Sequence, residues 1–442
     1  MATVAVKGEH RRSKTAGFLI VCGWAGAAPH WLEPERSLWP AIALAFLLGG
    51  YALRTVLRQR EKLLLNSNSF VKNSFEEQSW PDVDVLVAAR DEEAVVQRLV
   101  ERLDALDYPE GKLSIWIIDD GSKDRTPLLL EELSARFPRL QLIKRSRSAG
   151  GGKSGALNQA LKQVKGDWLL ILDADAQLEE NSLHRLVSYA KKGGWSAIQL
   201  RKAVINASQN QLTRFQAMEM AMDTVIQQGR LQSGGVVELR GNGQLISRSA
   251  LDKCGGFNED TVTDDLDLSF RLLISGALVG ILWDPPVQEE GVETIPALWR
   301  QRQRWAEGGL QRFFDYWPFL ISNRLTFAQR RDLTCFFLLQ YALPIVSFSD
   351  LATTLFTRTM PVYWPLSIAA FSISGFAYWS GCSTNSEGPE LPLPDPLRVL
   401  MAITYLAHWF LVIPWVTIRM ALFPKKLIWA KTNHQGQKSL RV

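Results

Sequence analysis

Asp173-Ala174-Asp175 closes the apolar run "DWLLILDAD" and is the stretch best suited to hold a metal ion. Two carboxylates alternating where a strand ends can both turn into one crevice. Hard oxygen donors of this kind suit Mg2+, or Mn2+ as the second candidate, with substrate phosphates completing the shell. A second acidic pair, Asp264-Asp265, stands in "TVTDDLDLSFRLL" just before an amphipathic helical pattern. A helix N-cap by Thr263 or Asp264 accounts for one acid there and poorly for two adjacent ones. Arg90-Asp91-Glu92 and Asp119-Asp120 add further carboxylates. Like charges gathered in one crevice repel, so the clustering predicts a bound cation. Protein cations come from Lys153 in "AGGGKSGALNQ" and Arg304 in "QRQRWAEGG". The glycine-lysine stretch is not a Walker P-loop, because the required first glycine position is Arg147. The four cysteines lie far apart without a CxxC, and His184 alone of five histidines falls in the polar part, on a helix surface. The chemistry therefore rests on carboxylates and cations.

The elements that must position these groups alternate strand and helix. Val83–Ala89, Leu113–Asp119, Leu140–Lys144 and Asp167–Asp175 read as strands, with helices over Glu93–Leu106, from Thr126-Pro127, and over Gly155–Val164. That rhythm predicts a parallel α/β domain. Ligands in such sheets bind beyond the carboxyl ends of the strands, which is where the acids of three strands fall.

Outside this domain the chain is apolar. Leu38–Leu57, Leu333–Phe356, Pro361–Cys382 and Leu397–Phe423 are each near the ~20 residues that cross a bilayer, and Ala16–Leu32 is a weaker fifth run. The expected organisation is a membrane hairpin over 1–60, a globular domain over 80–315, membrane segments over 316–424 and a basic tail over 425–442. Arg11, Arg12 and Lys14, then Arg54, Arg58, Arg60 and Lys62, then Arg324, Arg330 and Arg331 flank the spans and place the domain in the cytoplasm. The tail lysines belong there too, yet three C-terminal crossings would put them outside. One segment is therefore expected to be re-entrant, and Leu333–Phe356, with Pro344 and Asp350, is the candidate. The net charge of +5 sits at these membrane borders, which argues for an anionic-lipid-facing rim rather than nucleic acid. A large polar domain rich in crevice acids also argues against a transporter or channel.

Asp119-Asp120-Gly-Ser-x-Asp-x-Thr, Lys153-x-x-Ala-Leu-Asn158, Asp173-x-Asp175, Gly241-x-Gly243, Thr263-x-Asp265 and Gln301-x-x-Arg304-Trp305 form an ordered series. From Val83 to about Asp315 the series resembles the family 2 glycosyltransferases. The resemblance implies a GT-A fold, a Rossmann-like nucleotide-sugar-binding catalytic domain, here with N- and C-terminal transmembrane helices. It implies Asp119 and Asp120 at the base and ribose of a UDP-sugar, with Glu92, Lys153 and Asn158 also on the substrate side. Asp173 and Asp175 would hold the metal, Asp175 more directly, and Asp265, beside Asp264, would be the general base. Arg304 would stabilise the leaving diphosphate, and Gln301 and Trp305 would line the acceptor end. The implied reaction inverts an α-linked donor to a β-linked product.

The acceptor is the open question at this level. Four or five candidate spans make a poor pore, which disfavours a processive polysaccharide synthase, the alternative reading. "ELRGNGQLISRSAL", "TVTDDLDLSFRL" and "EEGVETIPALWRQRQRWAEGG" resemble family members that glucosylate membrane lipids. They imply UDP-glucose as donor, diacylglycerol in the bilayer as acceptor, and a plasma or thylakoid membrane of a bacterium. Trp305, Phe313, Phe314, Tyr316 and Trp317 are expected between base and membrane, where they would receive the lipid.

Overall fold

A computed structural model describes residues 10–32, 34–66 and 80–423. The basic tail lies outside the described residues. The strands are β1 (Val83–Ala89), β2 (Leu113–Asp119), β3 (Leu140–Lys144), β4 (Trp168–Leu172), β5 (Ala197–Val204), β6 (Gln244–Ser247) and β7 (Val279–Glu289). They form one mixed sheet in the order β3-β2-β1-β4-β6-β5-β7, with β6 antiparallel to both neighbours. Every residue of β1 is buried, as expected of a strand covered on both faces. The alternation in the sequence reaches the first four strands. It does not reveal β6, which is four residues long and carries no period of its own.

The helices are α1 (Arg11–Ala27), α2 (Pro34–Asn66), α3 (Val96–Asp104), α4 (Thr126–Arg136), α5 (Gly152–Leu161), α6 (Ser182–Gly193), α7 (Gln211–Gln232), α8 (Arg248–Cys254) and α9 (Asp264–Ile274). The series continues with α10 (Ile295–Leu320), α11 (Phe327–Phe337), α12 (Leu343–Thr357), α13 (Trp364–Cys382), α14 (Pro396–Leu406) and α15 (Trp409–Leu422). A π-helical turn, Leu338–Ala342, joins α11 to α12. α10 carries the Gln301–Trp305 stretch and runs unbroken to Leu320, so a boundary at 315 falls inside it.

By length and composition three helical stretches can cross a membrane: Leu38–Arg58, Phe327–Thr357 and Pro396–Leu422. Their contacts sort them further. The α1–α2 turn and the α12–α13 turn meet at one end of these helices. There His30 Nε2 lies 2.7 Å from Asp350 Oδ1, and the Tyr363 hydroxyl donates to Ala25 O at 3.0 Å. At the opposite end α2 meets α7, where a Cβ on Gly229 would sit 1.9 Å from Thr55 O. α13 also ends against α7, at Gly381 and Ala221. α15 instead touches the catalytic side at both of its ends. Trp409 Nε1 donates to Glu219 Oε1 at 3.2 Å, and Arg419 pairs with Glu307 of α10.

The basic N-terminal cluster is not a free rim. Arg11 forks onto the Asp315 carboxylate at 2.6 to 3.0 Å and donates to Asp260 O at 3.1 Å. Lys14 Nζ donates to Phe314 O at 2.8 Å, and Arg12 to Ala421 O at 2.9 Å. These side chains tie α1 to α10, to α15 and to the loop that leads into Asp264.

Buried charge holds the junction between sheet and helices. Asp332 of α11 is 1% exposed and accepts from Arg230 Nε at 3.0 Å, Val236 N at 2.9 Å and the Tyr51 hydroxyl. Arg230, also 1% exposed, faces Glu238 as well. Removing one partner of such a pair strands the other in a medium that cannot solvate it. Asp332→Ala is expected to cost about 3–5 kcal/mol, read as a large drop in thermal stability in detergent. An unchanged melting temperature would show that the junction does not depend on this pair.

Candidate active site

β1, β2 and β4 are adjacent and parallel, with Ala89 opposite Asp119 and Val87 opposite Leu172. Their carboxyl ends therefore deliver Arg90-Asp91-Glu92, Asp119-Asp120 and Asp173-Ala174-Asp175 to one edge of the sheet. β6 runs the other way, so the turn before it reaches the same edge. Asn242 Oδ1 accepts from Asp173 N at 3.1 Å, and Gln199 Nε2 donates to Asn242 O at 2.7 Å. Both glycines of that turn have positive φ, 86° at Gly241 and 71° at Gly243. A Cβ on Gly241 would stand 3.3 Å from Asp265 Oδ2, so the turn passes directly beside the second acidic pair.

Asp264 opens α9 with Thr263 before it, and the Thr263 side chain makes no capping bond. The cap reading therefore fails for Thr263. The loop is held from three sides instead. Gly308 lets α10 approach, since a Cβ there would lie 2.1 Å from Thr263 Oγ1. Asn158 Nδ2 donates to Phe257 O at 2.9 Å and to Glu259 Oε1 at 2.8 Å, and Phe257 N donates back to Asn158 Oδ1. Asn258 Nδ2 donates to Asp267 Oδ1 at 2.9 Å. Asn158 therefore braces the acid loop and is absent from the cavity lining. That differs from the substrate-side place the sequence suggests.

Burial first, and then the Asp264 carboxylate beside it, push the Asp265 carboxyl up to about 6 against the pull of Lys153 and Arg240. This is the range a general base needs near neutral pH. Burial also acts to raise Asp173, but Lys153, Lys202 and Arg304 outweigh it and hold that carboxyl below its ordinary value. Lys153 Nζ donates to Asp173 Oδ1 at 2.6 Å and to Gly241 O at 3.1 Å. The Asp173 side chain is 39% exposed, whereas Asp175 is buried and accepts from Glu290 N at 3.0 Å.

Among the described residues no three His, Cys, Asp or Glu side chains converge as a complete metal cage. Two carboxylates that line the cavity beside a lysine drawn to one of them still fit a divalent cation of the Mg2+ or Mn2+ kind. Such ions take one or two carboxylates and leave the remaining positions to phosphate and water.

Asp119 and Asp120 are buried at the strand edge rather than open to the cavity. Asp119 Oδ1 accepts from Ser122 N at 3.1 Å, and Asp120 pairs with Arg145 and, at 3.6 Å, with Arg90. Glu92, Lys153, Gln301, Arg304 and Trp305 all line the cavity with Asp264 and Asp265. Two cations stand over the Trp305 ring system, the Arg302 guanidinium 4.0 Å and Lys202 Nζ 5.6 Å from its centre.

Arg302 was not singled out in the sequence. It is fully buried, pairs with Glu219 of α7 and donates to the Tyr405 hydroxyl at 3.1 Å. Its place three residues before Trp305, on the same helix face, was the available signal. Arg240 was missed as well; it forks onto Asp223 at 2.8 and 3.0 Å and reaches Glu238 at 2.9 Å. The aromatic run after Trp305 is corrected. Phe313, Phe314 and Tyr316 are buried in the packing of α10 against α1, α9 and α11, and only Trp317 is substantially exposed.

Residues 81–308 match the family described as "Glycosyltransferase like family 2". The chain belongs to glycosyltransferase family 2. It is 42% identical over 438 residues to a beta-monoglucosyldiacylglycerol synthase of Synechocystis sp., covering 97% of this chain and 89% of that protein. A Nostoc sp. protein of the same name is 39% identical over 435 residues, covering 97% of this chain and 90% of its own length. The cellulose synthase 1 catalytic subunit of Komagataeibacter xylinus is 28% identical over 313 residues and is covered over 40% of its length. Among solved structures, a Pyrobaculum calidifontis mannosyltransferase in complex with GDP-Man and Mn2+ superposes with a TM-score of 0.62 at 19% identity. That match covers 86% of this chain and 99% of the mannosyltransferase. The sheet is thus the GT-A fold, and this glycosyltransferase carries around it the three stretches able to span a membrane.

Proposed function

We propose that this glycosyltransferase moves glucose from UDP-glucose to the 3-hydroxyl of 1,2-diacylglycerol with inversion, giving beta-monoglucosyldiacylglycerol. The observation that carries the acceptor is a single cavity of about 1190 Å3. It runs from Asp173, Asp175 and Asp265 past Trp305 to apolar side chains of α2, α7 and α13, including Met222 and Phe371. Its volume exceeds the ~300–1,000 Å3 of ordinary small-molecule pockets, which suits a donor and an acceptor together. Its far part is predominantly apolar, which suits acyl chains better than a growing glycan. Two relatives of near-full coverage, each named beta-monoglucosyldiacylglycerol synthase, support diacylglycerol as acceptor and glucose as the sugar moved.

In this reading Asp265 takes the proton of the acceptor hydroxyl, which attacks the anomeric carbon opposite the departing UDP. Asp264 beside it raises its basicity, and Trp305 and Gln301 border the acceptor. Glu92 lines the nucleotide side, and Asp119 and Asp120, buried behind that lining, hold Ser122, Arg145 and Arg90 at the same edge. Lys153 and Arg304 offer positive charge to the diphosphate, and Asn158 keeps the acid loop in register. Asp173 and Asp175 would hold Mg2+ or Mn2+, and a cation bound there supplies charge neutralisation for the leaving diphosphate.

The catalytic domain belongs on the cytoplasmic side of a bacterial plasma or thylakoid membrane. The α1–α2 and α11–α13 hairpins would cross and return, and α14–α15 would lie along the interface, which leaves the tail inside. The far-end contact of His30 and Asp350 supports this arrangement, as does α15 being tied at both ends. The re-entrant segment is then the last one rather than Leu333–Phe356. Purified protein given labelled UDP-glucose and diacylglycerol is expected to yield label in a chloroform-soluble monoglycosyl lipid. Label in a water-insoluble polymer, with none in lipid, would overturn the reading in favour of a polysaccharide synthase.

A further inference from the structure

The cavity narrows chemically as it leaves the acids. At its waist stand Asp223 of α7, a third exposed, and Arg240, a polar pair facing the reacting groups. Arg240 acts electrostatically on Asp265, so the pair lies close to the base. Beyond it the lining is predominantly apolar, with Ala52 of α2, Ile226 of α7, Leu343 and Pro344 of α12, and Ala370 of α13, and with Thr55 and Ser374 as polar exceptions. α2 and α13 pack together beside this space, with Gly49 of α2 in its lining. A Cβ on Gly49 would meet Ala369 and Ile373 only at van der Waals distance, 3.6 and 3.8 Å. The lining on α13 extends from Ala377 to Leu366. At 1.5 Å per residue that is about 16 Å, most of the length of an extended fatty acyl chain. Leu366, packed with Leu48 and Leu343, stands at the deep end.

We propose that this arm between α2, α7 and α13 is an acyl-chain subsite that sets which diacylglycerols are glucosylated, with Leu366 as its end-stop. The inference rests on the diacylglycerol reading above. Three features argue for it together: continuity with the catalytic cavity, a predominantly apolar wall after a polar waist, and a length that matches one chain. The waist takes the glycerol and ester groups and presents the free hydroxyl to Asp265, while one acyl chain occupies the arm. Chains longer than the arm meet Leu366, and shorter ones leave apolar wall uncovered.

The test uses the full chain in mixed micelles with an equimolar set of short-, medium- and long-chain 1,2-diacylglycerols, the glycosylated products being resolved by mass spectrometry. Ala370→Trp, which fills the arm, is expected to lower the ratio of long- to short-chain product by about tenfold or more. That is the effect of losing about two buried methylenes at ~0.8 kcal/mol each. The KM for UDP-glucose should stay as in the parent protein. Leu366→Ala, which lengthens the arm, is expected to move the ratio the other way, and it keeps the test alive if the tryptophan variant does not fold. An unchanged product profile in folded variants of a parent that glucosylates diacylglycerol overturns the subsite alone. A parent that labels no diacylglycerol overturns the acceptor reading beneath it.

Discussion

Asp265→Asn is expected to lower turnover by about 10^2–10^4-fold, the usual worth of a positioned general base. UDP-sugar affinity should change little, because the amide keeps the size of the carboxylate and Asp265 stands on the acceptor side. Isothermal titration with UDP-glucose and single-turnover transfer separate the two effects. Retained turnover would place the base elsewhere. The same group predicts a pH profile. A base must be ionised to work, and the Asp265 carboxyl is raised to about 6. The kcat/KM should therefore fall as pH drops through 6, about tenfold per unit well below it, and Asp265→Asn should lose that limb. The sign for stability is opposite. A carboxyl with a raised folded-state pKa binds its proton more readily in the folded protein than in the unfolded chain. Its contribution to folding thus becomes more favourable as pH falls from 7 through 6 toward the ordinary aspartate range. A parent whose activity is flat from pH 7 to pH 5 would count against both assignments.

Removing divalent cations is expected to suppress transfer by about 10^2–10^3-fold, several kcal/mol of lost charge stabilisation on the leaving diphosphate. Added Mg2+ or Mn2+ should restore it. The two carboxylates should differ on substitution. Asp175→Asn keeps an oxygen able to accept from Glu290 N but removes the charge, and should weaken metal binding with little loss of local order. Asp173→Asn removes the negative charge opposite Lys153, which still donates to Gly241 O, and should raise the metal concentration needed for half activity. Full activity in excess chelator would remove the metal role from both residues.

Much of this was legible in the residues because catalytic acids at strand ends obey a local rule. Strands β1, β2 and β4 are largely apolar, and the polar residues at their ends leave the sheet at its carboxyl edge. The order of motifs along the chain then identifies the family without any contact being known. What could not be read is what depends on partners distant in sequence. Asn158 reads as a helix-turn residue facing substrate, yet its amide is used up on a loop about a hundred residues away. Phe313, Phe314 and Tyr316 read as a membrane-facing aromatic patch, but α10 turns that face into the core. Arg11 reads as a lipid-facing charge and is instead spent on Asp315.

The sequence by itself determined the family and where the candidate groups fall: the acids, the cations, their order and the sheet edge three of the acidic clusters share. It did so because strand termini and helix starts are set by residues a few positions apart. Only the tertiary structure decided what surrounds those groups. It brought Arg240 and Asp223 to the side of Asp265, placed Arg302 under Trp305, and opened a cavity between α2, α7 and α13. Packing of helices far apart in the chain creates such a space, and no local periodicity records it.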